Sequence, residues 1–294
     1  MKPAPFAYHA PAQLPELLEL LADDLSDVRV IAGGQSLVPM MNFRLAAPEV
    51  LVDLRRVPEL RGLRWAPDGA LTVGAAVTQA QLLRDRRACD AFPVLAEGIR
   101  HIGHPQIRSR GTVCGSLAHH DPHAELPALA LALDARMTVA SAQGVREVPA
   151  DDFFVSYYEV ALEPGELLTA VTFPAQPADA GWAFRELARR RGDFALVGAV
   201  AGMRAVGGAA AGTRLVLFGV GDRPRRIAAV EQLLDGAAPA ERLGEVPALV
   251  AAAIDPVSDL HASAEYRREV AGELAVAALA EAWERARGRG EDQR

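Results

Sequence analysis

Apolar and polar positions alternate along this chain in two different periods, and the switches between them mark out its elements. In PELLELLADD (15–24) the leucines recur every three or four residues, which predicts an amphipathic helix. VRVIAG (28–33) and VLVDLRRV (50–57) are short β-branched runs and predict strands, separated by an extended region through FRLAAP (43–48). Further on, ALTVGAAVT (70–78), RMTVASAQ (136–143) and LLTAVTFP (167–174) read as strands. TQAQLLRDRRACDAFPVLAEGIR (78–100) and AELPALALALDA (124–135) read as helices between them. PAQPADAG (174–181) has the composition of a linker. Beyond it come strands in FALVGAVAGMRAV (194–206) and GTRLVLFGVG (212–221), a helix near AAVEQLLDG (228–236) and a long helix over 264–288.

These elements group into units at 1–57, 58–176 and 177–287, followed by a polar tail at 288–294 expected to be disordered. At 294 residues the chain exceeds the usual size of one core, and with half its residues hydrophobic it can bury a large interior. The net charge is −7, and no basic block stands out, which argues against nucleic acid and anionic membrane as partners. The first residues lack the charged-then-apolar pattern of a signal peptide, and no apolar run reaches bilayer length, so a cytoplasmic location is expected. Cys89 and Cys114 are the only cysteines, too few for a disulfide framework or for a cluster held by cysteine thiolates alone.

Two small-residue loops carry the candidate chemistry. VIAGGQSLVPMM (30–41) takes a strand into Ala32, Gly33 and Gly34, then Gln35 and Ser36. Glycine permits positive φ and removes the side chain that would hold a phosphate away, so successive backbone N–H groups can face an anion. GHPQIRSRGTVCGSLAHHDPHAELP (103–127) holds a second such loop at Gly111, Thr112, Cys114, Gly115 and Ser116. Asp121 and Glu125 follow at a distance suited to ribose or ribityl hydroxyls. Two anion-binding loops in different units point to one extended dinucleotide between them. Neither loop is a GxGxxG fingerprint or a Lys-bearing P-loop, and GVGD (219–222) meets Pro224 where a third glycine would fall.

Several of these residues also have plain readings. Leu167 and Leu168 would serve a strand core, Arg189, Arg190 and Arg191 a solvated face, and Phe194 ordinary packing. His119, His120, Asp121 and His123 stand close enough together to raise a metal. Neighbouring residues of an extended chain, however, point to opposite sides, and Pro122 prevents the helix that would align them, so no metal site is expected. Cys114 as a nucleophile lacks a His partner legible in the sequence, and no catalytic residue is assigned.

AGGQSLVPMMNFRLAAPEVLVDL, PQIRSRGTVCGSLAHHDPHAELPAL, EPGELLTAVTFP and FRELARRRGDFALVGA together resemble the FAD-binding medium subunits of molybdenum hydroxylases. That family includes the carbon monoxide dehydrogenase medium subunit and the flavin domain of xanthine dehydrogenase. The resemblance runs in order from about Phe6 to Arg287. It implies an α+β fold: a vanillyl-alcohol-oxidase (PCMH-type) FAD-binding domain of two subdomains, plus a C-terminal α+β domain. It implies that 32–36, with Leu37 beside them, and 111–116 are the FAD loops. There Cys114 and Ser116 depart from the commoner Gly-Gly-Asn ending, and the cysteine is expected to add a side chain next to the phosphates. By the same resemblance Glu125 stands where an Asp meets the adenosine ribose, Leu167 and Leu168 lie beside the flavin, Arg185 lies near it, and Phe194 covers one ring face. Gln35 in the first loop, and no histidine before Ser116 in the second, imply non-covalent FAD.

The function so implied is electron transfer, from [2Fe–2S] clusters on a small subunit, fed by a large molybdenum-cofactor subunit, to an external acceptor. A heterotrimer or its dimer is the implied assembly. A free-standing flavin reductase acting on a small molecule, or a flavin-binding subunit without turnover, are the alternatives.

Overall fold

The computed structural model describes residues 2–22 and 27–291. Its first unit holds β1 (Ala7–His9), α1 (Leu14–Leu21), β2 (Val28–Ile31), α2 (Leu37–Asn42) and β3 (Val50–Asp53). The strands form a parallel sheet in the order β1-β3-β2. Pro15 opens α1, where its missing N–H has no helical partner to lose, and Leu17 and Leu18 are buried. Asp23 and Asp24, placed in this helix by periodicity, lie outside the described residues. Between β2 and β3 the chain forms the short helix α2 before the stretch expected to be extended.

The second unit begins with β4 (Leu63–Trp65) and β5 (Leu71–Gly74). Five helices follow: α3 (Gln79–Arg84), α4 (Arg86–Ala91), α5 (Pro93–Ile99), α6 (Pro105–Arg108) and α7 (Val113–His119). Next come α8 (Glu125–Ala132), β6 (Arg136–Ser141), β7 (Gly144–Pro149), α9 (Ala150–Phe153), β8 (Phe154–Ser156), β9 (Glu159–Val160) and β10 (Leu167–Phe173). Strands β4-β5-β10-β6-β7 make one antiparallel sheet. The single helix expected over 78–100 is three. A capping box at Thr78 starts α3, Asp85 accepts from the Ala88 amide and so starts α4, and Pro93 opens α5. A long apolar period hides such breaks, because each short helix still sends apolar residues, such as Leu82, Ala88 and Leu95, into the same core.

The third unit contains β11 (Ala180–Ala188), β12 (Ala195–Val206), β13 (Ala209–Phe218) and β14 (Arg225–Arg226), antiparallel in that order. It ends with α10 (Ala228–Leu234), α11 (Pro239–Arg242), α12 (Val246–Ala253) and α13 (Ala264–Glu291). Strand β11 starts inside the stretch read as a linker, and α13 continues past 288 through Glu291. One face of this sheet gives Trp182, Phe184, Val200, Val216 and Phe218 to the core shared with the second unit. The other face meets α10, α12 and α13 in a second core. This sheet therefore locks the C-terminal helices to the unit that carries the loops.

Helix α13 lies very close to β11 through buried alanines, among them Ala271, Ala275, Ala278, Ala282 and Ala286. A Cβ at Gly181 would overlap the Ala282 carbonyl and the Ala286 amide and stand 2.8 Å from the Ala286 Cα. Gly181→Val should therefore lift α13 from the sheet and lower stability by about 2–3 kcal/mol, the usual penalty of overpacking. Urea unfolding would check it. An unchanged midpoint would mean that the helix is not seated on this glycine.

Candidate functional site

The two small-residue loops meet backbone to backbone. A Cβ on Gly33 would overlap the Arg110 carbonyl and lie 2.7 Å from the Gly111 Cα, so only glycine allows this approach. Gly34 follows at φ +72°, a conformation that side chains disfavour, and Gln35 Nε2 donates back to the Gly33 carbonyl at 3.0 Å, fixing the turn. The second loop is fastened at both ends. Gln79 N–H donates to the Gly111 carbonyl and Val113 N–H to the Val77 carbonyl, while Thr112 caps α7 by accepting from Gly115 N–H at 2.9 Å.

Among the described residues the backbone N–H groups of Gly33, Gly34, Gln35, Ser36, Thr112 and Cys114 have no acceptor in the chain. Such donors at a wetted surface are ready partners for an anion. They border a cavity of about 780 Å³, within the range of small-molecule and cofactor sites.

The structure gathers nearly all the residues singled out in the sequence around this cavity. Ala32 to Leu37 and Gly111, Thr112, Cys114, Gly115 and Ser116 line it, as do Asp121, Glu125, Leu167, Leu168 and Phe194. Leu167 and Leu168 begin β10, and both are buried. Phe194 stands at the edge, 60% exposed, at the end of the turn after β11. Arg185 is the exception. Its guanidinium sits 2.6 Å from the Glu281 carboxylate of α13, and it does not line the cavity. On β11 it alternates away from the side that Glu186 faces, and the acidic helix holds it there. Arg189, Arg190 and Arg191 also stay off the wall, and Arg189 meets His261 Nδ1 at 2.7 Å.

Cys114 departs from expectation in direction. Its Sγ lies 3.6 Å from the Val73 carbonyl inside the sheet core, and burial pushes its thiol up to about 12. Only the backbone of this residue is offered to a ligand, and the neutral thiol is a poor nucleophile. The histidines near Asp121 are likewise absorbed by packing. His123 Nδ1 meets the Ala195 carbonyl at 2.8 Å, and His120 Nδ1 meets that of Glu159 at 3.1 Å. His120 packs on Phe154, while His119 packs on Tyr158 at the cavity wall. Burial lowers the His119 and His120 pKa values, favouring neutral rings. Gly219 N–H donates to the Pro122 carbonyl, so GVGD braces this turn and lies off the cavity wall.

The sequence reading missed several wall residues: Gln79, Ile102, His119, Tyr158, Leu162 and Glu166. Tyr158 donates to Asp121 Oδ2 at 3.3 Å from a backbone at φ +56°, and Glu166 is clamped by Arg146 at 2.6 Å. Signals lay close to three of them: Ile102 stood beside the Gly103–Pro105 turn, His119 in the histidine cluster that was weighed as a metal site, and Glu166 directly before Leu167.

A cavity floored by free amides from two loops, walled by leucines and an aromatic edge, with no lysine in it, belongs to a dinucleotide-binding flavoprotein. Residues 4–176 match the family model of the FAD-binding domain in molybdopterin dehydrogenase, and 182–282 match that of the CO dehydrogenase flavoprotein C-terminal domain. The chain is 39% identical to the 6-hydroxypseudooxynicotine dehydrogenase complex subunit alpha of Paenarthrobacter nicotinovorans, over 98% of this chain and 97% of that one. It is 36% identical to the carbon monoxide dehydrogenase medium chain of Hydrogenophaga pseudoflava, over 97% and 99%. A solved chain of the Hydrogenophaga pseudoflava carbon monoxide dehydrogenase superposes with TM-score 0.94 at 38% identity, covering 97% of this chain and 99% of that one. The protein belongs to the FAD-binding medium subunits of the molybdenum hydroxylase family, and its cofactor is FAD.

Gly33→Val should lower retained FAD at least tenfold, a loss of about 1.4 kcal/mol or more, because the valine must push the two loops apart. Flavin absorbance after dialysis, with circular dichroism to verify the fold, tests it; full retention would remove the cradle. In a second test, iodoacetamide at pH 8 should leave Cys114 unmodified in the folded protein and modify it after denaturation, read by peptide mass spectrometry. Labelling in the native state would place the thiol in the cavity.

Proposed function

We propose that this chain is the electron outlet of a three-component molybdenum hydroxylase. In that complex a large subunit carries the molybdenum cofactor, a small subunit carries [2Fe–2S] clusters, and this subunit hands electrons to an external acceptor. The observation that carries the reading is the cavity's inventory: unpaired backbone donors from two loops to bind a dinucleotide, and Phe194 at its open edge. Bound FAD supplies a centre able to take electrons singly and release them in pairs. The protein's own part is to bind, orient and shield.

Each wall has one of those tasks. The free amides of 33–36, 112 and 114 hold the negative charge of a pyrophosphate with no lysine, so the ligand's charge is met by fixed dipoles. Leu167 and Leu168 give an apolar surface on which a flat ring can lie. Phe194 marks the side from which an acceptor or a partner's cluster approaches. With Gln35 in the first loop, FAD is held without a covalent bond. Two cysteines, one of them buried in the sheet, leave the iron–sulfur chemistry to another chain. Relatives are named medium chains or complex subunits, in keeping with a heterotrimer or its dimer. Among the described residues no helix is long and apolar enough to cross a membrane, and a cytoplasmic site is proposed.

The test compares the isolated chain with the assembled complex. Chemically reduced flavin in the isolated chain should be reoxidised by artificial acceptors. The substrate of the complex should leave the flavin spectrum unchanged until the other two subunits are added. Phe194→Ala should change the rate of reoxidation several-fold while altering FAD affinity less than Gly33→Val does. Bleaching of the isolated flavoprotein by a small organic substrate would overturn this reading in favour of a free-standing reductase.

A further inference from the structure

A second cavity, of about 400 Å³, lies where the α4–α5 junction of the second unit meets the 175–178 segment, the start of β11 and the end of α13. It shares no wall residue with the flavin cavity, so FAD does not account for it. Its volume falls in the range of small-ligand sites, and like many of them it sits between two packed units.

The walls are largely aromatic. Trp65 of β4 stacks with Phe92, ring centres 6.2 Å apart and planes at 29°, and Trp182 of β11 adds a third ring. Trp182 is 7% exposed and held in place from behind: a Cβ on Gly202 of β12 would stand 2.4 Å from its Cε3, so the ring rests directly on the glycine backbone. Its Nε1–H has no acceptor among the described residues. A buried indole N–H normally finds a partner, so this residue brings an unmet donor to the cavity.

The charge on the wall is positive. Arg87 Cζ stands 4.0 Å from the centre of the Trp65 ring, over its face. The ring fixes this guanidinium without using its N–H groups, and among the described residues Arg87 has no ion-pair partner and its side chain no hydrogen bond. Arg289 of α13 adds a second cation, positioned by its 3.0 Å bond to the Ala180 carbonyl. The one acid on the wall, Asp90, already faces Arg86 at 3.6 Å.

We propose that this cavity is a binding site for a small aromatic carboxylate, its ring against Trp65 and Trp182 and its carboxylate on Arg87. A guanidinium held on a ring face presents a planar edge of donors that matches a carboxylate, and because the stack already exists little side-chain freedom is lost on binding. Arg289 adds to the field that favours a negative ligand, and the Trp182 N–H favours one with an acceptor away from its carboxylate. With about half the volume of the flavin cavity, the site fits one substituted ring and not a dinucleotide. Nothing in it depends on where FAD lies.

The experiment titrates the FAD-loaded chain by isothermal calorimetry with 4-nitrobenzoate, whose nitro oxygens can accept from Trp182, and with the neutral 4-nitrobenzamide, while the flavin spectrum is recorded. The acid should bind once per chain with a Kd of about 1 mM or tighter, and the amide about tenfold more weakly or less. Arg87→Gln, at an exposed position where the fold does not depend on the side chain, should weaken the acid about tenfold and leave flavin content unchanged. Two of the three tryptophans line this cavity, so the nitroaromatic should quench intrinsic fluorescence along the same binding curve. A Kd weaker than about 1 mM, equal binding of acid and amide, wild-type affinity in Arg87→Gln, or binding without quenching would each overturn the proposal. A flavin spectrum that shifts in step with the acid would place the ligand in the other cavity and overturn it as well.

Discussion

The contact of Gly33 with the Arg110–Gly111 backbone is the constraint on which the site depends. Two loops, one leaving a parallel strand of the first unit and one entering a helix of the second, come within a separation that admits no Cβ at Gly33. That closeness turns two ordinary turns into one surface of unpaired amides. Everything around it serves to hold the two loops at this distance: the Thr112 cap, the Gln79 and Val113 ladder contacts, and the Gln35 bond across its own turn. A surface of unpaired backbone amides needs no long side chain to be ordered on binding an anion.

The absence of a lysine or free arginine in the described wall has an electrostatic consequence. Anion binding by dipoles neutralises less charge than an ion pair does, so acids nearby are not stabilised in their ionised form. Asp121 accepts hydrogen bonds from His123 N–H and the Tyr158 hydroxyl, and Glu166 pairs with Arg146. Glu125 and Glu186 meet no lysine or arginine, and burial pushes both carboxyls up from the ordinary carboxylate range.

The third unit supports the site from behind. Its sheet shares an apolar core with the loop-bearing unit on one face and with α13 on the other, and the turn between β11 and β12 carries Phe194 to the cavity edge. Loss of α13 packing would thus be felt at Phe194 through β11 and β12. β11 and β12 form a hairpin, but the turn that ends in Phe194 is fixed partly by a residue distant in sequence, His104, which lies against Gly192.

The sequence alone determined what short-range chemistry can state. Ala32-Gly33-Gly34 and Gly111–Ser116 were legible as small-residue turns that permit close backbone approach, and the structure brings the two together at Gly33 and Gly111. The order of four motifs was enough to define the family and its α+β fold. It also separated the chain into strands and helices wherever the period held over one element. It could not show direction or distance. Cys114 was read beside the phosphates because helix phase at a cap is not visible in GTVCGS, whereas the core took its sulfur toward Val73. Arg185 was expected near the ring by resemblance alone; the structure pairs it with Glu281, on a helix far along the chain, and keeps it off the cavity wall. Tertiary structure alone decided that Glu125 would face a cavity with Glu186 behind it and no cation between. Burial and charge pairing are sums over residues distant in sequence, and no local pattern carries them.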